Sequence, residues 1–530
     1  MIELLHQAVS ATADAAPERV AFRAGKQQVT YGELECQSNR MARMLLDNGA
    51  AKGDRIGVLM PRCVESVIAI YGVFKAGCVF VALDPNLAAG ALATLVDNCG
   101  ISQLLTHEKK NKIVSQLLKL SASKSITHVV GFESADAETD VELQAWNGLN
   151  SFDQTQPDVK IDLMDPAYIM YSSGSTGQPK GITHTHFSGM SYSRLSIKTY
   201  KVVAEDVIGN HSPINFDMST FGYFTSCLAG ATTVLVPEAH TKFPRSLAQL
   251  IADEKITIWY SVPLALIQLH LRGCLEEFDL SNLRWIKFGG EPFPPKYLRG
   301  LMKALPNCRF SNVYGPAEVN QCTYFHVPES LVAQEHADPI PIGNIWDQAV
   351  GRILDAEENV VTNGSVGELV VHSPTMMQGY WGRPGQTQQS LVSIADENGK
   401  ELLYYRTGDL VRDLGSGNLL FVCRKDRQVK VRGYRVELDE VENAINALDC
   451  VEEAGVFCVV RNHSNEIRAR AIIQVDAEAN AQTIKVELGK SLSWYCIPTE
   501  IEILSELPRT GSGKIDRNQL RLHAQGITTS

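Results

Sequence analysis

The chain has twelve cysteines but no C-x-x-C pair, which excludes a zinc ribbon and the close-spaced disulfide framework of a small secreted protein. Scattered free thiols fit a reducing, cytoplasmic setting. No signal peptide is apparent, because Met1-Ile-Glu-Leu-Leu-His6 shows no basic stretch followed by an apolar one. No apolar run is long and clean enough to span a membrane. The longest, residues 64–83, contains Glu65, Lys75 and Gly77 and reads as helix, turn and strand. Positive charge is in deficit. A net charge of −11 argues against broad contact with nucleic acid or an anionic membrane, so an anionic ligand would need a local basic site. Internal repeats and low-complexity linkers are absent as well.

What is present is a long chain, 530 residues and 44% hydrophobic. That suffices for more than one core, since single cores stop growing near ~250–300 residues. Helix and strand signals alternate through the first hundred residues. Thr30-Tyr-Gly-Glu33 fits a capping box, with Leu34, Met41 and Leu45 on one face behind it and Gly49 closing the helix. Residues 54–60 read as strand, Pro61 as the first residue of a helix reaching about Ala76, and residues 79–83 as the next strand. Further strand candidates fall at 167–170, 181–186, 232–237, 256–262 and 285–288. The fold class this predicts is α/β, a large layered unit with several sheets. After about residue 350 short strands and turns dominate, at 348–372 and 402–435, and 422–427 is charged and loop-like. A compact α+β pattern closes the chain. It comprises a helix with Leu438, Val441, Ile445 and Leu448 on one face, a helix at 486–492, and strands at 456–460, 469–475 and 501–503. The expected division is a large unit, residues 1–425, and a small one, 426–530.

Five segments carry chemistry. Tyr171-Ser-Ser-Gly-Ser-Thr-Gly-Gln-Pro-Lys-Gly181 packs three glycines, four Ser/Thr hydroxyls and one lysine behind an apolar strand. Such a loop can bring backbone N–H groups close to a polyphosphate, although the P-loop spacing G-x-x-x-x-G-K-[ST] is absent. A Ser/Gly surface loop is the competing reading. In Asn312-Val-Tyr-Gly-Pro-Ala-Glu318, Tyr314 can stack on a base and Glu318 can hold Mg²⁺; a tight turn with a solvated glutamate is the alternative. In Tyr405-Arg-Thr-Gly-Asp-Leu410, the carboxylate can take both hydroxyls of a ribose, or simply sit in a turn. Gln428-Val-Lys-Val-Arg-Gly-Tyr-Arg-Val-Glu-Leu438 alternates charge and valine as an exposed strand does. Pro508-Arg-Thr-Gly-Ser-Gly-Lys-Ile-Asp516 places a lysine on a glycine-flanked loop, which could equally be a solvated tail.

The order and spacing of these segments resemble the adenylate-forming enzymes: acyl-CoA synthetases, luciferases and the adenylation domains of nonribosomal peptide synthetases. The resemblance runs from Thr30-Tyr-Gly-Glu-Leu34 and Lys75-Ala-Gly77 to Lys514. Phe216-Asp-Met-Ser219, Tyr314-Gly-Pro-Ala-Glu318, Gly433-Tyr-Arg-Val-Glu-Leu438 and Gly511-Ser-Gly-Lys514 bring it closest to the amino-acid adenylation domains. It implies a ligase that makes an acyl-adenylate from Mg-ATP and then passes the acyl group to a thiol. Ser172, Ser173, Gly174, Ser175, Thr176, Gly177 and Lys180 would wrap the β- and γ-phosphates, and Glu318 would bind Mg²⁺. Asn312 and Tyr314, with the backbone of Gly289, Gly290 and Glu291, would hold adenine, with Gly315 and Ala317 in the same ATP site. Asp409 and Arg424 would hold the ribose beside Phe421. Lys514 would bridge the substrate carboxylate and the α-phosphate, and Asp426 would be the hinge about which the small unit rotates. Gly433 would then face the tunnel for a phosphopantetheine arm. The family usually has threonine where this chain has Ala317.

By the same resemblance Asp217 would bind the substrate ammonium, a helix N-cap being the plain alternative. The remaining pocket positions would be Met218, Phe221, Leu264, Ile286, Phe288, Val313, Gln321 and Cys322. Their apolar bulk, with Phe288 filling volume, suggests a small or compact apolar α- or β-amino acid. Only sixteen residues follow Lys514, without a carrier segment, so a free-standing enzyme loading a separate carrier protein is expected. An acyl- or aryl-CoA ligase, or a non-catalytic adenylate-binding scaffold, are the rival readings.

Overall fold

Parallel strands need helical crossovers, and the N-terminal third of the chain supplies them. In this computed structural model, which describes residues 2–120, 124–132, 140–172, 179–333, 339–361, 364–396, 398–415, 417–461, 464–474, 479–509 and 515–525, Thr30 caps the helix Tyr31–Asp47 as expected. Its hydroxyl accepts from the Glu33 N–H (3.2 Å), and the Glu33 carboxylate accepts from the Thr30 N–H (2.8 Å). Leu34, Met41 and Leu45 are buried against the helix Val64–Lys75. That second helix starts at Val64, with Cys63 as its N-cap, so Pro61 is not its first residue. Arg62 donates to the His211 carbonyl, which holds this turn toward a neighbouring sheet instead.

Both helices lie between two sheets. One has eight strands, with a parallel run Pro166–Ser172, Val79–Ala82, Arg55–Leu59, Gln103–Thr106, His128–Val130 and Glu142–Gln144. The other has nine, and its parallel centre is Thr232–Leu235, Val207–Asn210, Ile258–Ser261, Trp285–Gly289 and Arg309–Tyr314. The largest core joins the helices to both sheets through Phe22, Ile56, Phe74, Phe80 and Leu235. A six-stranded antiparallel sheet follows. Here the expected loop at 422–427 is partly strand: Leu419–Arg424 pairs with Glu401–Asp413, because Leu419 and Phe421 have an apolar surface to cover.

The C-terminal part builds its own core from Val436, Val441, Ile445, Val456, Ile467 and Ile484. It holds the three strands Val451–Arg461, Ser464–Ile473 and Glu500–Ile503, and the helices Leu438–Asn446, Ala481–Leu488 and Arg517–Ala524. Residues 428–437 are not an exposed strand. They form a hairpin, Gln428–Val431 against Tyr434–Glu437, with Gln428, Val431, Val436 and Glu437 buried. Arg432 and Gly433 make its tight turn at positive φ. No described helix is long and apolar enough to cross a membrane.

Candidate active site

In open α/β sheets ligands bind outside the carboxyl ends of the strands. Here the strands Ile258–Ser261, Trp285–Gly289 and Arg309–Tyr314 end together, and the C-terminal hairpin projects onto that edge. A small cavity remains between them, lined by Asp217, Tyr260, Gly290, Val313, Gln321 and Lys430 among others.

Glu318 follows the Gly315-Pro316 turn and is completely buried rather than solvated. Arg435 of the hairpin donates from Nη1 to both carboxylate oxygens (2.8 and 2.7 Å), and the Tyr380 hydroxyl donates to Oε1 (2.8 Å). Burial works to raise this carboxyl, but the Arg435 charge and the Tyr380 hydrogen bond outweigh it and hold it at about 2. The next carboxylate, Asp409, lies in the long strand and not in a turn. Gly408 before it, at φ +70, carries a local irregularity of the ladder. The Tyr314 hydroxyl donates to Asp409 Oδ2 (2.5 Å) and Arg424 Nη1 to Oδ1 (2.9 Å). The same guanidinium grips Asp426 through Nε (2.9 Å) and Nη2 (2.5 Å), so Arg424 joins the two carboxylates. Phe421 packs half-buried in the cluster that holds Tyr314 and Ala317. Asn312 donates to the Pro341 carbonyl (2.8 Å), and the Ala317 carbonyl accepts from His184 Nε2 (2.9 Å).

Lys180 pairs opposite Ser172 across the ladder, and its ammonium lies 5.6 Å over the Tyr380 ring. Burial, then the Arg435 charge, lowers its pKa. The Ser172 hydroxyl has no hydrogen-bond partner among the described residues. Ser173, Gly174, Ser175, Thr176, Gly177 and Lys514 lie outside the described residues. Next to Ser172 a cavity of about 440 Å³ opens between the large sheets and the C-terminal part, bordered by Asp84, Tyr171, Asn215, Leu492 and Tyr495.

Asp217 opens a short 3₁₀ turn, Asp217–Ser219, and its Oδ1 accepts only from the Met218 N–H (2.8 Å) among the hydrogen bonds of the described residues. Burial raises its carboxyl; the charge of Lys430, across the cavity, works against that rise. Met218, Val313 and Gln321 line this space, and Phe221 packs beside Tyr260. Other pocket positions do not converge on it. Side chains alternate along a strand, so Ile286 and Phe288 point to the opposite face from Lys287 and Gly289. They enter the helix-covered core, where Phe288 meets Phe293 edge to face at 4.9 Å. Phe288 therefore does not fill pocket volume. Cys322 belongs to the cluster around Val319, Ile342 and Tyr405. Leu264 contributes its backbone, donating to Glu291 Oε1 (3.2 Å).

The sequence reading missed Arg435, Tyr380, Lys430 and Lys287. For the hairpin residues the signal was present, because Arg435 stands two positions after Gly433, on the strand that leaves the turn. Lys287 was visible as a lone charge inside Trp285-Ile-Lys-Phe288.

A model of the family described as AMP-binding enzyme matches residues 9–381. The L-proline--[L-prolyl-carrier protein] ligase of Pseudomonas fluorescens is 30% identical over 99% of this chain and 100% of its own length. The enzyme of the same description from Streptomyces coelicolor is 33% identical over 96% and 94%. Among solved structures, the adenylation domain AlmE of Vibrio cholerae, in complex with glycyl-adenosine-5'-phosphate, superposes with a TM-score of 0.83. Its identity is 22%, and the match covers 99% of this chain and 98% of that one.

Proposed function

Because this chain belongs to the AMP-binding enzyme family, we propose that it activates a compact amino acid to its aminoacyl-adenylate, releasing pyrophosphate, and then transfers it to the phosphopantetheine thiol of a carrier protein. The observation that carries the amino-acid reading is Asp217. It is a carboxylate facing a small cavity, held among the described residues by one backbone N–H and opposed by the Lys430 ammonium. A substrate ammonium is the matching charge, and an acid without an amine would leave the carboxylate unpaired. Relatives named for L-proline support a compact substrate.

The adenylation step joins two anions, so it needs charge neutralisation and positioning more than covalent help. Glu318 fits Mg²⁺, since its carboxylate is ionised, a hard oxygen donor, and close to the strand of Lys180. When bound, Mg²⁺ supplies charge neutralisation of the phosphates. Arg435 occupies both oxygens in this conformation, so the hairpin must withdraw before Glu318 can act as a ligand. Lys180 and Ser172 would flank the leaving pyrophosphate. Asp409 would take the ribose hydroxyls, and Tyr314 with the Gly289–Glu291 backbone would hold the adenine. Lys514 would reach the α-phosphate when the small unit, residues 426–530, turns about Asp426. With the hairpin docked as it is here, Gly433 faces Val262 and the thiol would approach through the cavity beside Ser172.

ATP–pyrophosphate exchange over amino, aryl and fatty acids tests this. Exchange should require an α- or β-amine. Asp217→Asn should lower it by about 10²–10³, the cost of removing one partner of a desolvated charge pair. Equal exchange with acids lacking an amine would point to a CoA-ligase reading, and none with any acid to a binding scaffold.

A further inference from the structure

Two of the described lysines are wholly excluded from water, and their surroundings differ. Lys75 meets Glu35 Oε2 and Asn39 Oδ1, both at 2.7 Å, and the Glu35 carbonyl at 3.3 Å. Among the described residues Lys287 has no hydrogen-bond partner and no carboxylate beside it. Its ammonium lies among ring faces instead: Phe221 at 3.7 Å from the ring centroid, Tyr200 at 4.3 Å, Tyr260 at 4.5 Å and Tyr192 at 5.9 Å. Aromatic faces favour a positive charge but accept no strong hydrogen bond. Three N–H donors are left unanswered, an arrangement that buried polar groups rarely keep without a functional reason.

The position of Lys287 gives that reason. Parallel registers place it level with Tyr260 on one side and Ser311 on the other, and place Gly289 level with Val313. Residues two apart share a face, so the strand carries only Gly289 between Lys287 and the cavity lined by Tyr260, Gly290 and Val313. No side chain fits at Gly289, because a Cβ there would lie 2.3 Å from the Val313 carbonyl oxygen. Lys287 thus stands behind the cavity whose mouth holds Asp217, on the sheet face it shares with Tyr260, Gly289 and Val313. An apolar substrate would gain nothing from a lysine at this depth, where a leucine or methionine would serve. A neutral amide would offer an acceptor without a charge. Only an anionic group answers both the donors and the charge.

Resting on the reading that Asp217 anchors the amino group, we propose that Lys287 determines side-chain specificity and that the activated amino acid carries a carboxylate at the far end of its side chain. The substrate is then held at both ends, ammonium on Asp217 and side-chain carboxylate on Lys287. That leaves the main-chain carboxylate as the one free to attack ATP. Burial pushes the Lys287 amine well below the ordinary lysine range, and a bound carboxylate would restore its charge. The apolar pocket expected from the sequence is accordingly revised at Lys287.

Pyrophosphate exchange with the pairs aspartate/asparagine and glutamate/glutamine, alongside leucine and proline, tests the proposal in the unaltered enzyme. One acid should exceed its amide, leucine and proline by about 10²-fold or more. In Lys287→Met that preference should vanish through KM for the acid, with neutral amino acids accepted as well or better. The melting temperature should hold or rise, because an unpaired buried amine is removed. Preference for proline or leucine over both acids in the unaltered enzyme would overturn the proposal, as would unchanged selectivity in a folded Lys287→Met. If the variant does not fold, the acid–amide pairs decide alone. Exchange confined to acids lacking an amine would instead refute the Asp217 reading beneath it.

Discussion

Arg435→Ala isolates the contact that docks the hairpin onto the active site. In the docked state Arg435 supplies two hydrogen bonds and the compensating charge for a carboxylate with no exposure to water, and among the described side chains only the uncharged Tyr380 and Tyr405 hydroxyls would remain. Breaking a buried pair by removing one partner costs about 3–5 kcal/mol. Since ~1.4 kcal/mol is tenfold, the docked population should fall by about 10²–10³. Exchange of pyrophosphate, which under the proposed function uses Glu318 with the hairpin withdrawn, should persist. Transfer of the activated amino acid to free pantetheine, measured in a single turnover, should fall by that factor. Hydrogen exchange of residues 428–437 would report the loss of docking directly. If transfer and exchange fall together, or if the hairpin stays protected, Arg435 does not act through docking and the reasoning is wrong.

Two other perturbations bear on the same architecture. Gly433 sits at φ +83 with a Cβ position 2.4 Å from Val262 Cγ1, so Gly433→Ala should also impair thiol transfer and spare pyrophosphate exchange; equal loss of both would show a folding defect instead. Acid stability should fall along a defined window. His184 and His186 are held at about 4, and His6 and His211 at about 3, in each case chiefly by burial. These folded values lie below the ordinary imidazole value of 6.5, so the unfolded chain binds the extra protons. Their contribution is complete above about 6.5 and is lost as pH falls toward 4 and 3, at ~1.4 kcal/mol per histidine per unit. Melting temperatures between pH 8 and pH 4 check this, and a flat profile would show that these histidines are not buried neutral.

The crossover units were legible because a capping box and a 3.6-residue apolar period are local signals, and Thr30, Glu33, Leu34 and Met41 stand where that period demands. The start of the Val64–Lys75 helix was not, because what diverts Pro61 is a contact between Arg62 and a carbonyl 149 residues away. Similarly, Glu318 and Asp409 could be named as candidates, but neither the burial of the first nor the strand around the second is written in the adjacent residues. The pocket shows the limit most clearly. Motif alignment assigned Ile286 and Phe288, whereas strand alternation turns both into the core and turns Lys287 toward the cavity. A period of two cannot be phased from four residues until the neighbouring strands say which face is which.

Arg424 connects what the sequence presents as two separate motifs. It pairs with Asp409 at 2.9 Å and with Asp426 at 2.5 Å, and it also donates to the Thr407 carbonyl at 2.6 Å. A guanidinium has a fixed fork of five donors, so it can hold both carboxylates only while they keep this spacing. Tyr314 closes the far side of Asp409 with its hydroxyl. Under the proposed function, ribose hydroxyls would compete with Tyr314 for the same carboxylate oxygens, and any shift of Asp409 would be felt at Asp426 through one rigid side chain. The candidate hinge and the candidate nucleotide site are therefore not independent: the residue that would sense the ribose is the one that fixes the carboxylate at residue 426. Arg424→Lys keeps the charge but removes the fork, and so separates the electrostatic part of this link from its geometric part.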